Sequence, residues 1–287
     1  MNYITCAVLA AVLTGCVPGF LKSANRKNAP VFSAFIVCCI SVLFTVIIMA
    51  INDSFQYLPR ISNLKLLYLL LSGTLEGLFL LCLSTAVTHG AIGLAVPVIN
   101  LRGILITFLS FFLLHERVSV GKLCFMIVLL LGTVFLESRP ERKSSLNWVL
   151  FSFLALFLSA GIYYVDHFLL PEGAENTDCA MFIRFLIASG ILACVSVLGG
   201  GFKKVGKLKA VNWISMAAAG LSMGLVWLLN GVSEKTGNQL VVYIASCLYF
   251  PVAMLTARIL HREKFPVGAI IGTVLVLAGM IGMQLFS

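Results

Sequence analysis

The sequence predicts an all-α membrane protein, ten transmembrane helices arranged as two inverted five-helix repeats. Three observations carry that expectation. Of the 287 residues, 60% are hydrophobic and only 11% are charged, against about 25% charge in an ordinary soluble domain. Ten apolar runs of bilayer-crossing length, about 20 residues each, fill nearly the whole chain. The chain also matches itself at an offset of 147 residues. A water-soluble fold of this size cannot hide so much apolar surface, which excludes a soluble enzyme or nucleic-acid binder.

The runs follow one another with short connections. The first spans 3–21 and ends at Lys22; the second spans 30–51; the third spans 66–87, after Lys65. A short turn at Gly90 leads into the fourth, 91–114, and a tight turn at His115-Glu116-Arg117 into the fifth, 119–137. The second set spans 147–169, 179–199, 211–232, 238–260 and 266–286. These runs are apolar on every face and too long and unalternating for barrel strands, so helices are expected. Leu13-Thr14-Gly15-Cys16 resembles a lipoprotein cleavage box, but Met1-Asn2-Tyr3-Ile4-Thr5 lacks the basic residue that a signal segment carries. The first run is therefore read as a helix.

Lys and Arg set the direction. Thirteen of them, Lys22, Arg26 and Lys27 through to Arg258, Arg262 and Lys264, fall on one side of the alternating spans. Only Arg60, Lys65, Arg117, Lys122 and Lys235 fall on the other. The positive-inside rule makes the first side cytoplasmic and both termini extracytoplasmic, in a multi-pass cell (inner) membrane protein. The formal net charge of +9 is thus spread over loops as a topology signal, and no nucleic-acid partner is expected. Nine cysteines, most inside apolar runs and without CxxC spacing, read as small packing residues. No metal and no cofactor is expected.

At the offset of 147, Gly73 pairs with Gly220, Gly77 with Gly224, Gly90 with Gly237, Gly121 with Gly268 and Gly132 with Gly279. Glu116 pairs with Glu263. Halves holding nine and fifteen glycines should give about one such glycine match by chance, and five occur. The two units are 1–138 and 147–287. Each has five spans, an odd number, so the second must enter the membrane upside down relative to the first. Many transporters alternate access around a midplane site with this architecture.

Two stretches close the halves: His115-Glu116-Arg117-Val118-Ser119 running into Gly121 and Gly132, and His261-Arg262-Glu263-Lys264-Phe265 running into Gly268 and Gly279. An acidic residue in a tight turn before a glycine-bearing last helix resembles the drug/metabolite transporter superfamily, in its ten-helix EamA type. The resemblance implies a central cavity lined by the first, third, fourth, sixth, eighth and ninth helices, with the fifth and tenth as outer supports. Members of that superfamily carry amino acids, drugs, sugars or nucleotide-linked sugars.

Glu76 and Arg102 lie mid-span in the third and fourth runs, and each costs about 2.5–3.5 kcal/mol at the bilayer centre. Both sit at about the same depth in antiparallel neighbours. Either they form a permanent structural ion pair or they separate to hold a zwitterion, ammonium on Glu76 and carboxylate on Arg102. Asp166 and Arg184 flank the connection between the sixth and seventh spans and read as a structural pair or outer gate. His167 beside them reads as a solvated helix-end residue. Pro18, Pro97 and Pro251 fall inside spans and are candidate hinges, because proline removes a backbone donor.

Asn100 lies one turn from Pro97 and about 200° around the helix from Arg102, so the two do not share a face. Tyr249, the repeat counterpart of Arg102, joins Tyr163, Trp227 and Asn230 as candidate contacts to a solute. The expected function is secondary transport, as an exporter of a small polar organic solute such as an amino acid, by alternating access. Proton-coupled efflux of cationic drugs is the alternative, although residues 3–21 hold no acid where the small four-helix relatives place a glutamate. A nucleotide-sugar or lipid-linked carrier is a further alternative. The expected partners are a small-molecule substrate, protons as the candidate coupling ion and the lipid bilayer, with the chain a monomer or homodimer. The four histidines sit in or near connections and no HExxH or GxSxG occurs, so no enzyme is expected.

Overall fold

The computed structural model describes residues 2–27, 29–115, 118–137, 146–166, 177–236 and 239–286. Among the described residues the chain is helical, with no strand. The first half comprises α1 (Tyr3–Ala24), α2 (Pro30–Ile51), α3 (Asn63–His89), α4 (Ile92–Asn100), α5 (Arg102–Leu114) and α6 (Val120–Glu137). The second comprises α7 (Leu146–Tyr164), α8 (Thr177–Leu198), α9 (Ala210–Thr236), α10 (Gln239–Ser246), α11 (Tyr249–His261) and α12 (Val267–Leu285). Among the described residues nine segments are long and apolar enough to cross a membrane, and Val120–Leu136 is a shorter apolar helix. The protein is an all-α, multi-pass membrane protein.

The fourth and ninth spans, expected as single helices, are each broken at mid-length. Leu101 donates its N–H to Val98 at 3.1 Å, and Leu248 donates to Ala245 at 3.1 Å, so both joints tighten into i→i−3 turns. Proline contributes differently at each. Pro97 lies in the last turns of α4, where it leaves the Gly93 carbonyl without its i+4 donor. Pro251 lies in the first turn of α11, and the Cys247 carbonyl accepts from Phe250 N at 3.2 Å instead. Pro18, by contrast, is buried within an unbroken α1.

Element bounds recur along the chain. Shifted by 147, α2, α3, α4, α5 and α6 fall on α8, α9, α10, α11 and α12 to within one residue. The left-handed residues recur too: Asp53 (φ 50°) with Gly200 (φ 64°), and His115 (φ 54°) with Arg262 (φ 52°). Packing partners exchange in the same way. α1 packs on α9 as α7 packs on α3; α2 packs on α9 as α8 packs on α3; α6 and α12 pack on each other.

Lipid tails are as apolar as leucine, so these helices gain little from hydrophobic burial and rely on close van der Waals contact. Glycine provides it. A Cβ on Gly73 would lie 2.9 Å from the Arg184 carbonyl oxygen, and one on Gly77 3.1 Å from Ala188 Cα, which presses α3 onto α8. The counterparts Gly220 and Gly224 press α9 onto Val37 and Phe44 of α2. Gly132, Gly272 and Gly279 bring α6 and α12 together, with Gly132 approaching the Val276 backbone nitrogen within 2.7 Å of its would-be Cβ. Leu43, Ile47 and Ile51 of α2 instead point outward, as a lipid-facing stripe does.

Candidate functional site

Gly73, Glu76 and Gly77 share one face of α3, because residues three and four apart align on a helix. The glycine contact therefore carries Glu76 directly against α8. There Arg184, which is 4% exposed, reaches it: Nη2 lies 3.4 Å from Glu76 Oε2. The other arm of the guanidinium, Nη1, donates to Asp166 Oδ2 at 2.9 Å. Asp166 closes the last described turn of the sixth span, where the helix widens into a π turn. Ser72 Oγ of α3 donates to Asp166 Oδ1 at 2.9 Å. The indole of Trp227, on α9, lies with its centroid 4.5 Å from the Arg184 guanidinium carbon. Two carboxylates thus share one guanidinium, leaving a formal charge of −1 in a buried, aromatic-walled cluster drawn from both halves.

This arrangement corrects the expected pairing. Glu76 meets Arg184 and not Arg102. Arg184, expected to pair or gate with Asp166 beside the connection of the sixth and seventh spans, also reaches inward to Glu76 because α3 and α8 touch through glycine. Gly73 one turn before Glu76 was the signal in the sequence that could have identified the face. Asp166 and Arg184 do meet, as an ion pair.

Arg102 is exposed at the first residue of α5, on the joint of the fourth span. It lies near Tyr243, Cys247 and half-buried Tyr249 at the joint of the ninth span. Tyr163, 37% exposed on α7, lies near Tyr243. Arg102, Tyr249 and Tyr163 therefore belong to a second polar locus between the two broken spans. Asn100 is buried at the end of α4, and its Nδ2 finds no hydrogen-bond partner among the described residues. Asn230 is half-buried on α9, three residues beyond Trp227. His167 and Glu116 lie outside the described residues.

A third cluster was not foreseen. Glu263, in the turn after α11, caps the N-terminus of α4: Ile92 N donates to Oε1 at 3.0 Å and Gly93 N to Oε2 at 3.3 Å. Lys22 Nζ of α1 donates to Glu263 Oε1 at 2.8 Å and to the Gly90 carbonyl at 2.7 Å. His261 Nε2 lies 2.9 Å from the Gly19 carbonyl. One carboxylate thereby ties the last turn of α1, the start of α4 and the end of α11. Only the residue type at Glu263 was legible; that its acceptors point at a helix N-terminus depends on the fold.

Burial pushes the Glu263 carboxyl up, but the Lys22 charge and the hydrogen bonds from Lys22, Ile92 and Gly93 outweigh it and hold it below the ordinary 4.5. A depressed folded-state value means that stability is fully present above 4.5 and is lost as pH falls through the lower folded value. Purified protein should therefore melt at lower temperature as pH is taken below about 4.5, and Glu263→Gln should lose less over the same interval. Equal acid sensitivity in thermal unfolding of the two proteins would contradict this assignment.

A cavity of about 640 Å³ lies between α2, α8 and α9, lined among others by Phe44, Asn52, Tyr57, Asp178, Trp227 and Gly231. It is bordered by the second, seventh and eighth spans, a different set from the one implied by the resemblance.

Residues 1–138 match the EamA-like transporter family. A solved crystal structure of a protein superposes with a TM-score of 0.70 at 14% identity, covering 99% of this chain and 98% of the other. At that identity the likeness speaks to the fold, end to end. No curated protein matches significantly. Over residues 1–138, just under half of its length, the chain is similar to the EamA-like transporter family, which belongs to the drug/metabolite transporter superfamily.

Proposed function

We propose that this transporter exports a small polar organic solute, such as an amino acid, by alternating access between two inverted repeats, 1–138 and 147–287. The observation that carries the reading is the buried Glu76–Arg184–Asp166 cluster, which joins the first half to the second. Charges are too costly inside a membrane to be retained without a role there. The two contacts are unequal, 3.4 Å to Glu76 and 2.9 Å to Asp166. The longer one opens for a zwitterion: the ammonium takes Glu76, the carboxylate takes Arg184, and Asp166 keeps the guanidinium in place. Trp227 walls the site, while Arg102, Asn100 and Tyr249 line the path at the broken spans, with Tyr163 of α7 and Asn230 of α9 as further contacts.

The inverted arrangement draws support from the recurrence of element bounds at 147 and the exchange of packing partners, combined with five spans in each half. Broken helices at equivalent places in both halves are where such transporters flex, and Pro97 and Pro251 sit beside the two joints. The cluster holds two carboxylates for one guanidinium, which favours a proton as the coupling ion. A thermal-shift screen of the purified protein against amino acids, quaternary amines and sugar phosphates tests the substrate class. Stabilisation by zwitterionic amino acids is the expected result, and stabilisation by sugar phosphates alone overturns it.

A further inference from the structure

The turn between α11 and α12 has an inner and an outer side. Arg262 adopts the left-handed conformation (φ 52°), and its N–H, with that of Glu263, returns to the Ala257 carbonyl and ends α11. Successive side chains of the turn then part. Glu263 goes inward, its side chain 8% exposed and its oxygens taken by Lys22, Ile92 N and Gly93 N. Arg262 and Lys264 on either side of it are exposed, as is Arg258 one turn earlier. Outside lies an open recess of about 400 Å³, lined by Arg258, Arg262, Glu263, Lys264 and Phe265. Half-buried Phe265 packs against the core and gives the recess an apolar wall. Arg26 donates to the Leu260 carbonyl at 3.4 Å, which brings a fourth base to the edge of the turn.

The recess adjoins the lipid-facing surface. Leu255, Arg258 and Ile259 lie three and four residues apart, on one exposed face of α11. Val267, Ile270 and Ile271 expose further apolar side chains at the start of α12. The bases therefore stand where a bilayer-facing apolar stripe ends, at the level of the lipid headgroups. Basic recesses between spanning helices hold acidic headgroups. We propose that this recess binds the phosphate of an acidic phospholipid, on Arg258, Arg262 and Lys264, with the acyl chains along Leu255, Ile259 and Ile270. A soluble phosphate would gain the charge attraction alone, whereas a lipid adds apolar contact below it. Because Glu263 turns inward to cap α4, its own charge stays off the phosphate.

Native mass spectrometry of the purified full chain, released from micelles holding phosphatidylglycerol or phosphatidylcholine, tests the site by counting retained lipid. The readout does not depend on which solute is transported. Wild-type chain should retain phosphatidylglycerol at least about tenfold better than phosphatidylcholine. Each base removed should cost about fivefold, so the triple variant Arg258→Gln, Arg262→Asn and Lys264→Gln should lose the preference. Asparagine suits the left-handed position of Arg262. Arg60→Gln, which removes an exposed base from the turn after α2, should keep it. Where the triple variant fails to fold, Lys264→Gln alone, at an exposed position, should still weaken retention about fivefold. Excess glycerol 3-phosphate should displace little of the lipid. Equal retention of the two lipids by folded wild-type protein overturns the assignment. So does an unchanged preference in the triple variant or in Lys264→Gln, or an equal loss in Arg60→Gln. Full displacement by glycerol 3-phosphate overturns it too, in favour of a soluble phosphate.

Discussion

Replacing Arg184 with glutamine should abolish solute transport and lower the stability of the purified protein by about 3–5 kcal/mol. Among the described residues the guanidinium is the one cation that Glu76 and Asp166 share, and it is 4% exposed. Without it two carboxylates face each other away from water, and one must take up a proton or the helices must part. Trp227 also loses the cation on which it stacks. Arg184→Lys should recover part of the stability but little transport, because a single ammonium cannot reproduce two guanidinium arms at 2.9 and 3.4 Å. Proteoliposome uptake beside detergent unfolding curves separates the two effects. A stable, active Arg184→Gln would show that the cluster neither binds solute nor joins the halves.

Gly73→Ile should be nearly as damaging, through packing and not charge. The would-be Cβ lies 2.9 Å from the Arg184 carbonyl oxygen and 3.2 Å from its Cα, both backbone atoms that cannot swing aside. α3 and α8 must separate, which forfeits dispersion along their contact and pulls Glu76 away from Arg184. Overpacking of this kind costs about 1–3 kcal/mol. Gly190→Ala, a glycine on α8 whose Cβ would meet nothing within 4 Å, should leave both stability and transport near wild type. Matching losses in the two variants would point to a general intolerance of added bulk and against the contact at Gly73.

Much of the fold was legible because the bilayer makes length and hydrophobicity decisive: apolar runs of about 20 residues can only become helices there. The 147-residue offset was legible because glycine pairs mark the closest backbone approaches, and α3 on α8 and α9 on α2 use them in that way. The breaks at Leu101 and Leu248 were less so. Proline marked both spans, yet Pro97 precedes one joint and Pro251 follows the other, and each span stays apolar through its break. Within the site, each charged residue was identifiable but the partners were not. Sequence spacing placed Glu76 beside Arg102 as neighbours in antiparallel spans, whereas the contact between α3 and α8 comes from the tertiary arrangement. The Glu263 cap on α4 joins residues 171 positions apart and has no local trace.

Counterflow in proteoliposomes, with unlabelled amino acids inside and a labelled pool outside, examines the buried carboxylate on α3 most directly. Wild-type protein should concentrate label transiently, and Glu76→Gln, which keeps the shape and loses the charge, should stay at the level of empty vesicles while remaining folded in detergent. Label accumulating at the same rate in both would contradict a zwitterion site at the junction of the halves.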